Sequence, residues 1–451
     1  MSGSPLLAAL SGARVGRLHR RVLLTVSVMF FFDLADLNSF AFAAPAIRRA
    51  HDFSVHDVAW VTGVGFAGMA VGAILGGRLT DLLGRRAGML WSVVLFSAGS
   101  LMNALITGVG LMAVARFATG IGLGALTTVA ITYLSEVTPA EKRGRFQSIA
   151  LGTGLIGIPV VAFLARALTG THPESWRLLF LFGALGFLLI PMLLRLPESP
   201  RWLLTRGRYE EAAAIVRRFA PEHTGNEQQP AEEPPRARMA DLFAPGMRRN
   251  TIALMVVWLF ALVGFYGFQS WIPTLLADHG QDFAKSLTMS ALTTVGAVPG
   301  AFLAWPFIDR FSRKKMATVL GLIVTALGVG YGLADNSALI VVFGVLVAAL
   351  TQTYIAVLYS YTPEVFPTHL RTAGAGLGNG LGRIGNVVAP LVIATIYTTP
   401  SLGYAAVFVF ISGCWLVATA TLALFGVETK RTSLEQLHEG RMAPDERSIG
   451  A

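Results

Sequence analysis

Twelve apolar stretches of about 20 residues, separated by short polar connections, set the strongest limit on what this chain can fold into. Each is long enough to cross a hydrocarbon core of roughly 30 Å at 1.5 Å per residue. Inside lipid every backbone N–H and C=O needs a partner within its own segment, so the stretches are expected to be helices. They fall near 22–47, 57–80, 88–107, 110–134, 145–168, 177–195, 251–276, 286–308, 316–334, 338–362, 372–397 and 403–426. The chain is 54% hydrophobic and only 14% charged, against about 25% charged in soluble domains. It lacks the polar residues to cover a soluble surface of this size, which excludes a soluble enzyme. The reading is an all-α membrane protein with six spans on each side of a hydrophilic insert.

Charged residues repeat at one offset. Gly77-Arg78-Leu79-Thr80-Asp81-Leu82-Leu83-Gly84-Arg85-Arg86 is a glycine-punctuated turn between two apolar runs. A weaker copy holds Asp309 and Arg313, with 309 − 81 = 228 and 313 − 85 = 228. Glu136 and Arg143 recur as Glu364 and Arg371, again 228 positions on. Four matches at one spacing indicate two related halves. The second copy has Trp305 and Ser312 where the first has Gly77 and Gly84, which points to a looser turn.

Charge also predicts orientation. The formal net charge is +10, and the basic residues concentrate in the even-numbered connections: Arg85 and Arg86, Lys142 and Arg143, Arg201 and Arg206, Arg313 and Lys314, Arg371. The positive-inside bias explains these better than nucleic-acid binding, and it places both termini in the cytoplasm. Arg48-Arg49, after the first span, is an exception. The expected organisation is a cytoplasmic segment 1–21, a six-helix bundle 22–195, a cytoplasmic linker 196–250, a second bundle 251–427 and a cytoplasmic tail 428–451. Within the linker, 201–219 reads as an amphipathic helix, and 221–235 is rich in Pro, Glu and Gln and reads as flexible. Arg14, Arg17, Arg20 and Arg21 precede the first span without a small-residue cleavage pattern, so that span is read as retained. Cys414 is the single cysteine and reads as a packed hydrophobe.

The motif Gly77-x-x-x-Asp81-x-x-Gly84-Arg85-Arg86 resembles the loop signature of the major facilitator superfamily. Arg116-Phe117-x-x-Gly120-x-Gly122-x-Gly124, Glu136…Arg143-Gly144 and Pro197-Glu198-Ser199-Pro200-Arg201-Trp202 fit it too. The resemblance covers all twelve spans and leans to the branch of sugar porters, aromatic-acid/proton symporters and nicotinate transporters. It implies two pseudo-symmetric six-helix bundles around a midplane site, working by alternating access. A cytoplasmic gate is expected from Gly77, Asp81, Gly84, Arg85, Arg86, Glu136 and Arg143, and in the second half from Asp309, Arg313, Glu364 and Arg371. The alternative is that these basic residues only orient the helices.

Ionisable residues inside spans are expensive and so mark function. Asp33 and Asp36 share a face of the first span at i and i+3. Arg116, in the fourth, needs a carboxylate, and similar proton symporters pair a first-span aspartate with this arginine. Asp33, Asp36 and Arg116 are therefore the expected proton-coupling residues; a static ion pair is the alternative. Tyr266, Gln269 and Trp271 lie in Tyr266-Gly267-Phe268-Gln269-Ser270-Trp271-Ile272-Pro273, which resembles aromatic-acid and nicotinate transporters. The paired glutamines of sugar porters are missing there, and the first span reads Leu34-Ala35-Asp36 where those have Gly-Tyr-Asp. Trp271 also suits an interfacial belt. Gln352 and Tyr354 in the tenth span, with Arg383 and Asn386 in the eleventh, complete the expected substrate residues. Arg383 has no acid in its own span and suits an anionic substrate, or else a structural contact.

No histidine has metal-ligand spacing and no phosphate-cradling loop is present, so no cofactor is expected and the energy should come from an ion gradient, a proton gradient if Asp33 and Asp36 act as the resemblance implies. The expectation is a monomeric, multi-pass plasma-membrane symporter of a small organic, aromatic or heterocyclic carboxylate, whose partners are substrate, proton and bilayer. A sugar or polyol symporter, a drug/proton antiporter and a non-transporting sensor remain the alternatives.

Overall fold

The computed structural model describes residues 5–169, 172–221, 239–278, 282–307, 310–367 and 370–429. Among the described residues, twelve helical segments are long and apolar enough to cross a membrane. The first four are single helices: α2 (Arg17–His51), α3 (Val55–Leu83), α4 (Arg85–Leu105) and α5 (Val109–Val137), after a short α1 (Pro5–Gly12). The fifth span divides into α6 (Arg143–Leu155) and α7 (Gly157–Leu168), where Pro159 withholds a backbone donor. The sixth runs as α8 (Arg177–Ala184), a 3-10 stretch and α9 (Ile190–Leu194).

The linker helix expected over 201–219 is two pieces, α10 (Pro200–Thr205) and α11 (Tyr209–Phe219). Gly207, between them, takes φ 70°, a left-handed value that ends a helix at little cost to glycine. Ser199 caps α10 by accepting from the Trp202 amide at 3.3 Å. Leu6 of α1 packs with Ala213 and Val216 of α11, so the N-terminal segment is anchored on the linker helix. The Pro-rich stretch from 222 and the tail from 430 lie outside the described residues, as do Asp309 and His279.

The second set comprises α12 (Arg248–Asp278), α13 (Phe283–Thr294), α14 (Ala297–Leu303), α15 (Arg313–Gly332), α16 (Ser337–Val365), α17 (Arg371–Thr398) and α18 (Gly403–Phe425). The chain divides into two units, 1–233 with 270–291, and 234–269 with 292–451. The division cuts α12 between Gln269 and Ser270. Pro273 lies four residues after Gln269 and cannot donate to its carbonyl, so the helix loses a hydrogen bond at that point.

Each unit is tightened by glycines, and the repeat extends to their partners. A Cβ on Gly68 would lie 2.2 Å from the Phe117 carbonyl oxygen, and one on Gly72 would lie 2.1 Å from that of Ile121. In the second unit the pairs are Gly296 with Val345 O at 2.2 Å and Gly300 with Ala349 O at 2.3 Å. All four residues move by the same offset: 296 − 68, 300 − 72, 345 − 117 and 349 − 121 each equal 228. No side chain fits between backbones this close, so α3 lies directly on α5 and α14 on α16.

Candidate functional site

The turn between α3 and α4 is built around two charged residues. Gly84 has φ 103°, and a Cβ there would lie 2.4 Å from Glu198 Oε2. That room lets Glu198 accept from the backbone N–H of Arg85 at 2.8 Å and of Arg86 at 3.2 Å. A carboxylate thus caps the N-terminus of α4, where orphan amides and the helix dipole favour negative charge. Trp202 Nε1 and Arg206 Nη2 donate to the Asp81 carbonyl at 2.8 and 2.7 Å. Gly77 has open space where a side chain would stand.

Arg85 is the hub of this turn. Its Nη1 meets Asp81 Oδ1 at 2.6 Å and its Nη2 meets Glu136 Oε1 at 3.1 Å. The second unit repeats the inner pair: Arg313 Nε lies 3.1 Å from Glu364 Oε1. Arg86 reaches the Leu194 carbonyl at 2.7 Å. Arg143 and Arg371 join neither pair; the Nε of each is buried without a hydrogen-bond partner among the described residues. The motif carboxylate Glu198 was in plain view in Pro197-Glu198-Ser199, yet spacing alone does not tell that it reaches back 113 positions to a helix end.

The Arg48-Arg49 exception also acquires partners, all within the first unit. Arg48 Nη1 meets Asp278 Oδ2 at 2.5 Å, and Arg49 lies 4.0 Å over the Phe283 ring. Nearby, Glu174 holds Arg177 at 2.6 Å and His51 at 3.2 Å. Partial burial opposes its ionisation, but the hydrogen bond and charge of Arg177, with His51, outweigh that and hold its carboxyl below the ordinary value.

Asp36 and Arg116 meet as their residue types require. Asp36 is fully buried and Arg116 is 5% exposed. Arg116 Nη1 lies 3.5 Å from Asp36 Oδ2, and its nitrogens approach the Asp36 and Leu37 carbonyls at the same distance. Ser100 donates to Asp36 Oδ1 and also lies 3.0 Å from the Phe180 carbonyl. One hydroxyl hydrogen cannot serve both acceptors. If Asp36 is protonated it donates to Ser100, which is then able to donate to Phe180. Ser100 was not among the residues singled out from sequence, because a serine in an apolar run gives no charge signal. Asp33 is a turn away, with its Oδ2 accepting from Thr127 at 3.3 Å. A small cleft lined by Phe40, Gly65, Phe66 and Ser270 reaches Arg116.

In the second unit, Arg383 is half-buried, with its Nε donating to Asn379 Oδ1 at 3.2 Å. Asn379 in turn donates to the Tyr359 hydroxyl at 2.7 Å. Gln352 lies seven residues before Tyr359 on α16, and Asn386 seven after Asn379 on α17. On antiparallel neighbours this puts Gln352 and Asn386 at one level, about 10 Å along and on nearly the same faces. Gln352 Oε1, Asn386 Oδ1 and Tyr354 OH are buried with no hydrogen-bond partner among the described residues. Such atoms suit a polar ligand or water. Tyr266 and Gln269 are half-buried on α12. Trp271, which belongs to the first unit, is 2% exposed and so is packed rather than displayed as an interfacial belt.

The repeat sharpens the contrast between units. Asp36, Ser100 and Arg116 correspond, at +228, to Gly264, Gly328 and Gly344. Gln352, Arg383 and Asn386 correspond, at −228, to Gly124, Leu155 and Ile158. The buried acid–arginine pair occurs in one repeat and the polar ladder in the other.

Residues 21–440 match the family described as sugar (and other) transporter, and the chain belongs to that family of the major facilitator superfamily. It is 36% identical over 425 residues to the putative metabolite transport protein YyaJ of Bacillus subtilis, spanning 92% of this chain and 94% of that one. It is 28% identical to the niacin transporter NiaP of Acinetobacter baylyi, over 96% and 99% of the two chains. Its fold matches the xylose transporter XylE from E. coli, in a partially occluded inward-open conformation, with TM-score 0.76 at 17% identity, covering 93% and 100%. The protein is therefore an integral multi-pass transporter and not an enzyme.

Proposed function

We propose that this transporter carries a small organic carboxylate, aromatic or heterocyclic, together with a proton, by alternating access. The observation that carries the coupling is Asp36, wholly buried and 3.5 Å from a buried arginine. A carboxylate at this depth binds and releases a proton at the cost of a changed partnership with Arg116, which is what coupling requires. Asp33 assists from the same face. Arg383 meets the substrate carboxylate, and Gln352, Tyr354, Asn386, Tyr266 and Gln269 shape its surroundings. The niacin transporter among the relatives supports a heterocyclic acid.

The charged turn at 77–86 and its weaker copy at 305–314 act as the cytoplasmic gate, with Arg85–Glu136 and Arg313–Glu364 as its latches. Asp81, Gly77, Gly84, Arg86, Arg143, Asp309 and Arg371 belong to the same gate. Both termini are cytoplasmic, the membrane is the plasma membrane, and the working unit is a monomer. The energy source is the proton gradient, without a cofactor.

Proteoliposomes loaded at high internal pH and given labelled nicotinate at lower external pH test this reading. Wild type accumulates the acid against its gradient. Asp36→Asn is expected to abolish accumulation while keeping exchange of internal for external nicotinate. Accumulation by Asp36→Asn would overturn the proton assignment.

A further inference from the structure

We propose that Asn379 and Tyr359 are positioning residues that orient Arg383 and thereby set a preference for a carboxylate over its neutral amide. This rests on the reading of Arg383 as the substrate's counter-charge.

The geometry begins at Trp258. Its Nε1 donates to Thr362 Oγ1 at 3.0 Å, which fixes the indole. Glycines bring α17 against it: a Cβ on Gly378 would lie 2.6 Å from Trp258 Cδ1, and one on Gly382 would lie 2.7 Å from the Trp258 carbonyl oxygen. The Tyr359 ring stands edge-on to the indole, with centroids 4.8 Å apart. Its hydroxyl accepts from Asn379 Nδ2 at 2.7 Å, so the opposite atom of the same amide, Oδ1, accepts from Arg383 Nε at 3.2 Å. Each link fixes the next.

The consequence lies in which guanidinium edge remains. Arginine offers five N–H groups in a planar fork, and a carboxylate docks on it with two parallel hydrogen bonds. With Nε held by Asn379, the edge that uses Nε is occupied. The end carrying Nη1 and Nη2 is left for a planar, two-oxygen anion. A neutral amide has one acceptor oxygen and turns its N–H groups toward donors, so it is disfavoured there.

Asparagine suits this task in a way aspartate does not. It orients the arginine without neutralising it, and among the described residues no carboxylate forms an ion pair with Arg383. The arrangement is also absent from the repeat: at −228, Tyr359, Asn379 and Arg383 correspond to Ile131, Leu151 and Leu155. The first half therefore holds the shared framework without it.

Transport kinetics in proteoliposomes, with nicotinate and benzoate set against nicotinamide and benzamide, test the proposal. Wild type prefers the acids. Arg383→Ala is expected to lose that preference. Asn379→Asp supplies an internal counter-ion and is expected to raise KM for the acids at least tenfold, with kcat and amide handling changed less than twofold. Tyr359→Phe keeps the ring against Trp258, frees the Asn379 amide and lowers the acid-to-amide ratio about threefold. If Arg383→Ala removes the preference but Asn379→Asp and Tyr359→Phe leave it intact, the positioning role is overturned and the reading of Arg383 stands. If Arg383→Ala keeps the preference, the counter-charge reading falls and takes this proposal with it. Should Asn379→Asp fail to fold, an unchanged ratio in Tyr359→Phe is sufficient to overturn the positioning role.

Discussion

Arg85 lies 3.1 Å from Glu136, and the residues 228 positions further on, Arg313 and Glu364, lie 3.1 Å apart as well. One ion pair is thus kept in both repeats, although the turns around it differ in their glycines. Half-buried pairs like these are worth about 1 kcal/mol or somewhat more, weak enough to break in each transport cycle. Reversing the first pair, Arg85→Glu with Glu136→Arg, is expected to recover part of the uptake that each single change removes. A reversed pair no more active than either single variant would rule out the latch.

Gly84 combines a φ of 103° with a carboxylate where its side chain would stand. Gly84→Ala meets both penalties: roughly 1–3 kcal/mol of backbone strain and displacement of the Glu198 cap, which leaves orphan amides at a further ~1–3 kcal/mol. The apparent thermal midpoint of purified protein should fall by several degrees, whereas Gly77→Ala, with open space around it, should change it little. Equal midpoints for the two variants would contradict this account.

A Cβ on Gly183 would lie 2.1 Å from Asp36 Oδ1 and 2.5 Å from Ser100 Oγ. Gly183→Ala should therefore push the carboxylate off Ser100 and cut pH-driven accumulation at least tenfold. Gly413→Ala, with nothing within 4 Å, serves as the control. Normal coupling in Gly183→Ala would show that the Asp36–Ser100 contact is dispensable.

Glu174 is held ionised by Arg177 and His51, its carboxyl lying below the ordinary 4.5. A depressed folded value contributes stability above the unfolded value, lost as pH falls through the folded one. The midpoint difference between wild type and Glu174→Gln should be full at pH 7 and close as the pH falls below the ordinary 4.5 and through the depressed folded value. A difference that grows on acidification would reverse the sign.

The helices were legible because apolar length and the demand for internal hydrogen bonding leave a lipid-embedded segment little choice. That Arg116 meets a first-span carboxylate was legible for a related reason, since a buried arginine must find one; that it is Asp36 rather than Asp33 followed only from the resemblance to proton symporters. The repeat told more than it first indicated, since the offset read from four charges also relates Gly68 to Gly296 and Phe117 to Val345. Other features were hidden. Glu198 reaches a helix end 113 residues away, and Asp278 meets Arg48 across 230 positions. No local pattern encodes such partners. Asn379 and Tyr359 escaped notice because neutral polar residues in a span cost less than charges and stand out less. The break at Gly207 was a missed turn signal, outweighed by the apolar face that continues on either side.

The cap on α4 bears on how the protein is assembled. Its two amides belong to residues 85 and 86, whereas the carboxylate that satisfies them is residue 198. A ribosome must therefore add more than a hundred residues, and four further spans must enter the bilayer, before this turn has its closing partner. Until then the end of the third span is an unfinished joint. That one contact ties completion of the turn between the second and third spans to the arrival of the residues that follow the sixth.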